Sequence, residues 1–389
     1  MSESDKIEIA IFTSSFQSIL GISFYIVKGR FILKKHGFII LSLFLVVFTT
    51  ACAKVSEPVP ATPTPIEPTP VTTPVEKPMP VPEPKIPVSH YENVAEGTSP
   101  LTGLPYLGDS KVAIVQIENT AAARPQSGIA KADLIYEMEV ESSVTRLTAF
   151  FLQEYPNKVG PVRSIRKQHI QLWKEWDFLY IFFGGSYSVK GQNPDELIEA
   201  YGIKSPSLNG IRTSQSFFRS TDRKAPHNAY SDVAYAVEKA YYYKPRLRTF
   251  FFDEKAEITG AGANKIKLSY ASDNRIMYEY DAKSKLYSRF INDRPVVDKE
   301  DNSQLKVKNI IVQHADHFKV EGTVYTNIDL VGSGNAEYFT EGIQRKGRWM
   351  RKDLESLTIF YDEEGNELAM RPGKTYIQIV RKETPVDVE

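Results

Sequence analysis

A single cysteine in 389 residues leaves no partner for an internal disulfide. Six histidines are scattered along the chain, and His227, in the densest polar loop, has no second His or Cys at metal-ligand spacing on which a zinc site could be built. No metal and no cofactor is expected. Excess charge is missing too: Lys plus Arg number 48 and Asp plus Glu number 48. Nucleic-acid binders carry a basic surplus or stripe, so no nucleic-acid partner is expected. There is no G-x-S-x-G elbow and no phosphate-cradling glycine loop. The one Gly-rich stretch, GSGNAEYF from Gly332 to Phe339, reads as a turn among strands.

Long apolar runs are scarce as well. The fourteen apolar or small residues from Phe38 to Ala51 would rise about 21 Å as a helix, short of a hydrocarbon core of roughly 30 Å. They follow Lys34 and Lys35 and end in Thr49-Thr50-Ala51-Cys52. A basic start, a short apolar stretch and small residues before a cysteine match a bacterial lipoprotein signal. Cys52 is therefore expected to carry lipid, and the remainder to lie on the outer face of the cytoplasmic membrane. Retention as an uncleaved anchor gives the same location. No methionine lies between Met1 and Met79, and 1–33 is a long leader. A start near Phe31–Leu33 is expected, with a membrane hairpin through the apolar run Ile9–Val27 as the alternative.

Twelve of the 24 prolines fall between Glu57 and Pro87, alternating with Val, Thr, Ala and Glu. Such a segment favours polyproline II, and at about 3.1 Å per residue some 30 residues make a semi-rigid tether near 90 Å. Beyond it, the pattern predicts strands over 111–118, 134–141, 145–153 and 178–183, the second and third joined tightly at Ser142-Ser143. Helices are expected over 168–176, 194–201 and 231–242. From Phe250 onwards, short alternating runs separated by turn signals predict a β-rich region. The expected class is α+β: leader and signal over 1–51, tether over 52–90, an N-terminal mixed α/β domain over 91–247 and a smaller, mostly-β domain over 248–389.

Charge is not spread evenly over this frame. The stretch IYEMEVE sets Glu137, Glu139 and Glu141 on one face of a strand. Glu is a poor strand former and like charges repel, so cations opposite are expected. Arg146, on the next strand, and Arg163 and Arg166 in GPVRSIRK are the candidates, their forks suiting carboxylate, phosphate or sugar acid. Same-face acids along a strand stand about 6.6 Å apart, which permits the carboxylate spacing of an inverting glycosidase and disfavours that of a retaining one. A second dense stretch, FFRSTDRKAPHNAY, brings Asp222, Arg223, His227 and Asn228 into one loop. His314 and His317 read as surface residues.

The motifs SPLTGLP (Ser99–Pro105), RPQSGIAKADLIYE (Arg124–Glu137), VGPVRSIR (Val159–Arg166) and DRKAPHNAY (Asp222–Tyr230) resemble those of the YerB-like lipoproteins. That is a two-part family of unknown function in Gram-positive bacteria. The likeness extends over most of 95–380, more loosely in YEYDAKSKLYSRF and RPGKTYI. It implies a membrane-anchored extracellular location and assigns no activity. Within the family pattern acids fall at Glu137 and Glu141, while an apolar residue is usual where Glu139 stands.

Together these readings predict an envelope lipoprotein that binds, and in the stronger form cleaves, cell-wall glycan. Glu137 and Glu141 would be the catalytic acids, with Arg146, Arg163, Arg166, Asp222, Arg223, His227 and Asn228 holding substrate. The alternative is a non-enzymatic scaffold that docks envelope proteins through its C-terminal β region. A ligand-binding lipoprotein of a transporter fits less well, since two similar lobes are not evident.

Overall fold

In the computed structural model, the residues described are 90–389, apart from Ser143, Tyr241 and Tyr242, together with the backbone of two short strands near the N-terminus. Those strands, Ser23–Val27 and Arg30–Lys34, pair antiparallel as a hairpin in a unit of their own. The lipoprotein signal, Cys52 and the Pro-rich tether lie outside the described residues. Among the described residues no helix is long and apolar enough to cross a membrane.

The main unit is mostly sheet. In chain order its principal strands are β1 (Ala113–Glu118), β2 (Leu134–Glu141), β3 (Val144–Phe151), β4 (Leu179–Phe182), β5 (Ser207–Asn209) and β6 (Ala261–Gly262). There follow β7 (Lys265–Ala271), β8 (Asn274–Asp281), β9 (Leu286–Ile291) and β10 (Asn309–Ala315). The last are β11 (Gly332–Thr340), β12 (Ile343–Arg351), β13 (Ile359–Asp362) and β14 (Thr375–Arg381). The α-helices are α1 (Lys167–Trp176), α2 (Pro194–Ala200) and α3 (Val233–Ala240). All three belong to the N-terminal half, close to where the sequence pattern predicts them.

Eleven strands make one mixed sheet in the order β6-β12-β11-β10-β14-β2-β3-β1-β4-β5, with β13 pairing β12. The strand β14, from the end of the chain, pairs parallel with β2, so the sheet crosses from one sequence half into the other. A six-stranded antiparallel sheet built around β7, β8 and β9 accompanies it. The Gly-rich stretch at 332–339 is part of β11 and not a turn.

Alternation along the strands sorts the core into two layers. Odd-numbered residues such as Val115, Ile117, Ile135 and Leu147 pack with Val233 and Val237 of α3 and with Ile266, Ile276 and Tyr278 of the smaller sheet. Even-numbered residues such as Ile114, Tyr136, Met138 and Phe150 pack with Ile170, Trp173 and Trp176 of α1. Both faces of β2 are therefore covered, and Leu134 to Val140 are all buried. No face of β2 is left to solvent before Glu141. A strand enclosed on both sides reads apolar where nothing else intervenes, so each glutamate on β2 must find a partner inside.

Candidate functional site

The three acids of β2 find different partners. Glu137 is wholly enclosed, on the face that meets the smaller sheet. Its Oε1 accepts from Asn119 Nδ2 at 2.9 Å and Thr145 Oγ1 at 2.7 Å. Its Oε2 accepts from Arg289 Nη2 at 2.5 Å and the Tyr376 hydroxyl at 2.9 Å. Arg289 lies against the Tyr376 ring, 4.8 Å from its centroid, and donates through Nε to the Tyr278 hydroxyl at 3.2 Å. Burial opposes the charge on Arg289, yet Tyr376 and Glu137 keep its pKa above the usual arginine range. A carboxylate with four donors and no exposure cannot reach a polymer. This geometry makes Glu137 a fixed ion inside the fold, joined to Arg289 and not to the arginines the sequence put opposite it.

Glu139 accepts from Arg381 Nη2 at 2.6 Å and from Thr326 Oγ1 at 2.8 Å. Burial would raise its pKa, but these donors hold it below the usual glutamate range. Between Glu139 and Glu141 the register against β3 slips, Glu139 opposing Thr145 and Glu141 opposing Val144. The extra residue is a bulge, and bulges re-aim side chains. Glu141 pairs with Arg146, which stands opposite Met138 on the α1 side of the sheet. Spacing arguments that assume three acids on one face thus fail at the last of them.

Around Glu141 several of the expected residues do assemble. Arg146 Nη2 donates to Glu141 Oε1 at 3.2 Å, and Arg166 Nη2 donates to the same oxygen. Burial, with Arg166 and Arg163 nearby, pushes the Arg146 pKa down to about 9, leaving it charged at neutral pH. Burial raises and the two arginines lower the Glu141 pKa, and the arginines win. Arg163 and Arg166 do not share a helical turn: Arg166 is the extended residue before α1. Its N–H donates to His169 Nδ1 at 3.0 Å. Burial, reinforced by Arg146 and Arg166, drives the His169 pKa well below normal, so the ring stays neutral.

Arg163 is placed by the chain before it. Val162 bridges Ile117, Arg163 N donates to Gln116 O at 2.8 Å, and Val162 N donates to Ala229 O at 2.7 Å. Gly160 permits this threading, since a Cβ there would stand 2.7 Å from Val162 N and 3.0 Å from Ala229 O. The result sets Arg163 Nε 3.7 Å from Glu118 Oε2. His227 Nδ1 lies 2.9 Å from Glu118 Oε1, which also accepts from Thr120 Oγ1 at 2.9 Å. Glu118 Oε2 itself has no hydrogen bond among the described residues. Glu118 and His169 were missed by the sequence reading: each ends or follows a regular apolar pattern and carries no local mark of function.

The rest of the 217–230 loop divides. Asn228 Oδ1 accepts from Arg219 Nη1 at 2.7 Å, beside an open cleft of about 480 Å³ walled by Phe183, Ile211, Phe217 and Phe218, with Arg212 and Arg219. Arg219 stacks on the Phe183 ring at 5.2 Å, and Phe183 N donates to Arg163 O at 2.9 Å. The cleft and the Glu118–His227 group are thus mechanically joined. Asp222 and Arg223 turn elsewhere. Asp222 pairs with Lys299, and Arg223 donates to Pro125 O at 2.6 Å and Tyr230 OH at 2.9 Å. His314 and His317 are not surface residues either: His314 is buried, beside Glu337, and His317 is partly buried. Among the described residues no group of three or more His, Cys, Asp or Glu could hold a metal ion.

Residues 101–244 match the family described as "Protein of unknown function (DUF3048) N-terminal domain", and 266–377 match its C-terminal domain. The chain belongs to this two-part family of unknown function. A relative described as "Putative lipoprotein YerB", from Bacillus subtilis (strain 168), is 28% identical over 293 residues, covering 72% of this chain and 86% of the relative. A crystal structure of the YerB protein from Bacillus subtilis superposes with a TM-score of 0.63 at 26% identity, over 75% of this chain and 99% of that one. The family boundary falls within the segment from Lys244 to Ile266, between α3 and the start of the smaller sheet.

Proposed function

We propose that this protein is a lipid-anchored lipoprotein on the outer face of the cytoplasmic membrane, that it binds cell-wall glycan, and that it does not cleave it. The description of its relative as a lipoprotein supports the anchor. The observation that carries the binding reading is the cleft beside Arg163. Phe218 and Ile211 stand exposed there, next to Arg212, Arg219, Thr213 and Ser214. Flat apolar rings flanked by hydroxyl and guanidinium groups suit a sugar ring, which has an apolar face and polar edges.

Cleavage draws less support. A general acid must hold a proton near neutral pH, so its pKa is ordinarily raised. Glu141 and Glu139 are held below the usual range, and Glu137 is enclosed. The rival scaffold reading draws on Phe318 and Val324, exposed in the segment spanned by the His317–Lys319 and Thr326–Ile328 hairpin. Incubating the full-length protein with isolated peptidoglycan, then sedimenting and weighing soluble products by mass spectrometry, separates these readings. Capture without fragments is expected, falling at least tenfold in a Phe218→Ala, Arg219→Ala double variant. Reducing-end or anhydro-sugar fragments would restore an enzyme. Absence of capture would turn attention to the scaffold.

A further inference from the structure

A second cavity, of about 520 Å³, lies away from the cleft just described, between the Ala121–Gln126 segment and the chain from Ile291 to Val297. That volume falls within the roughly 300–1,000 Å³ of small-molecule sites. The cavity sits where the two family halves meet, a common place for ligands. One wall belongs to the segment after β1 and the other to the end of β9 and the turn beyond it. The lining is chiefly apolar, with Pro125, Ile291, Pro295 and Val296, and it carries two guanidinium groups, of Arg124 and Arg294.

Neither arginine is used up by the fold. Arg124 donates through Nε to Asn119 Oδ1 at 3.2 Å and through Nη2 to Asn119 O at 2.6 Å. Its Nη1 makes no hydrogen bond among the described residues. The Arg294 side chain is exposed, on a residue whose backbone pairs with Ile291, and makes no hydrogen bond or ion pair among the described residues. The nearest acid, Glu137, acts on Arg124 only through space, where the charge of Arg289 opposes it, and its carboxylate oxygens are already met by four donors. Partial burial of Arg124 weakens its hydration, and an unmet guanidinium N–H in such a place favours an anionic acceptor.

We propose that this cavity binds a small ligand with an apolar body and one carboxylate or phosphate group, gripped between Arg124 and Arg294. The site owes nothing to the glycan cleft and stands or falls separately. Its occupant would touch both family halves at once. It would also stiffen Asn119, which donates to Glu137 and Thr145 in the buried network.

The test uses the full-length protein in lipid nanodiscs, titrated with benzoate, phenyl phosphate and neutral benzamide, with binding read by calorimetry and ligand-observed NMR. Saturable binding of benzoate, phenyl phosphate or both is expected, with benzamide at least tenfold weaker; which anion binds names the chemical source. Arg294→Gln, an exposed change that leaves the network intact, should weaken the anion at least fivefold. Arg124→Gln should weaken it further, judged only if the variant unfolds at the wild-type temperature. The proposal is overturned if neither anion saturates, if benzamide binds equally, or if Arg294→Gln binds as the wild type does.

Discussion

Glu137 and Glu141 stand four residues apart on one strand, yet they occupy opposite kinds of environment. Glu137 faces the seam between two sheets, where four donors close around it and no solvent enters. Glu141 lies beyond a bulge, turned to the other side, with two arginines and a side chain still 28% exposed. The same residue type therefore does two jobs. The inner one satisfies an otherwise isolated Arg289, as buried ions must be paired. The outer one orients Arg146 and Arg166 at the end of the sheet, close to groups that solvent can reach.

The comparison breaks most visibly on stability. Removing one partner of a buried ion pair typically costs about 3–5 kcal/mol, because the other charge is left unmatched. Glu137→Gln should lose about that much in urea unfolding, while Glu141→Gln should lose less, about 2 kcal/mol, because Glu141 itself is partly exposed although Arg146 and Arg166 are buried. Equal losses would mean that the two sites are alike in energy and that enclosure does not distinguish them.

A gentler probe is acid. The Glu141 pKa is depressed in the folded chain, so the unfolded chain binds a proton first as pH falls. The stability from this group is fully present above the ordinary glutamate pKa of about 4.5. It is lost as pH drops below that through the folded value. Glu141→Gln should flatten this part of the stability curve below about pH 4.5. An unchanged acid slope would show that the two arginines do not set the ionisation of Glu141.

How much of this was legible beforehand depends on sequence distance. The strands and helices of 111–242 follow from period-two and helical patterning and from local caps such as Asp232, whose Oδ1 accepts from Tyr235 N. That Glu141 would meet Arg146 and Arg166 was readable, because the partners lie within 25 residues. The Glu137–Arg289 pair spans 152 residues and the Glu139–Arg381 pair 242. Nothing local marks either arginine as a partner: Arg381 is brought in when β14 joins β2 in one sheet, and Arg289 when the smaller sheet packs against that face. The bulge was equally hidden: an extra residue leaves alternation in the sequence intact while reversing it in space. Covering of both faces of β2 was obscured for a related reason, since the glutamates imitate the polar side of a half-exposed strand.

The smallest structural effect should accompany a large functional one. Arg163 is about a third exposed and sits 3.7 Å from Glu118, beyond hydrogen-bond reach. Glu118 is itself buried, so losing the cation costs more than at an ordinary surface position, about 1 kcal/mol. Arg163→Gln should therefore remain folded, with a loss of about 1 kcal/mol in urea unfolding. The backbone of Arg163 holds Phe183 in the aromatic cleft, and the variant keeps that contact, so only the guanidinium is removed. If the cation contributes to holding wall glycan, capture on peptidoglycan should fall severalfold and weaken further with added salt. Unchanged capture with unchanged stability would reduce Arg163 to a bystander and leave the aromatic walls of Phe217 and Phe218 to carry binding alone.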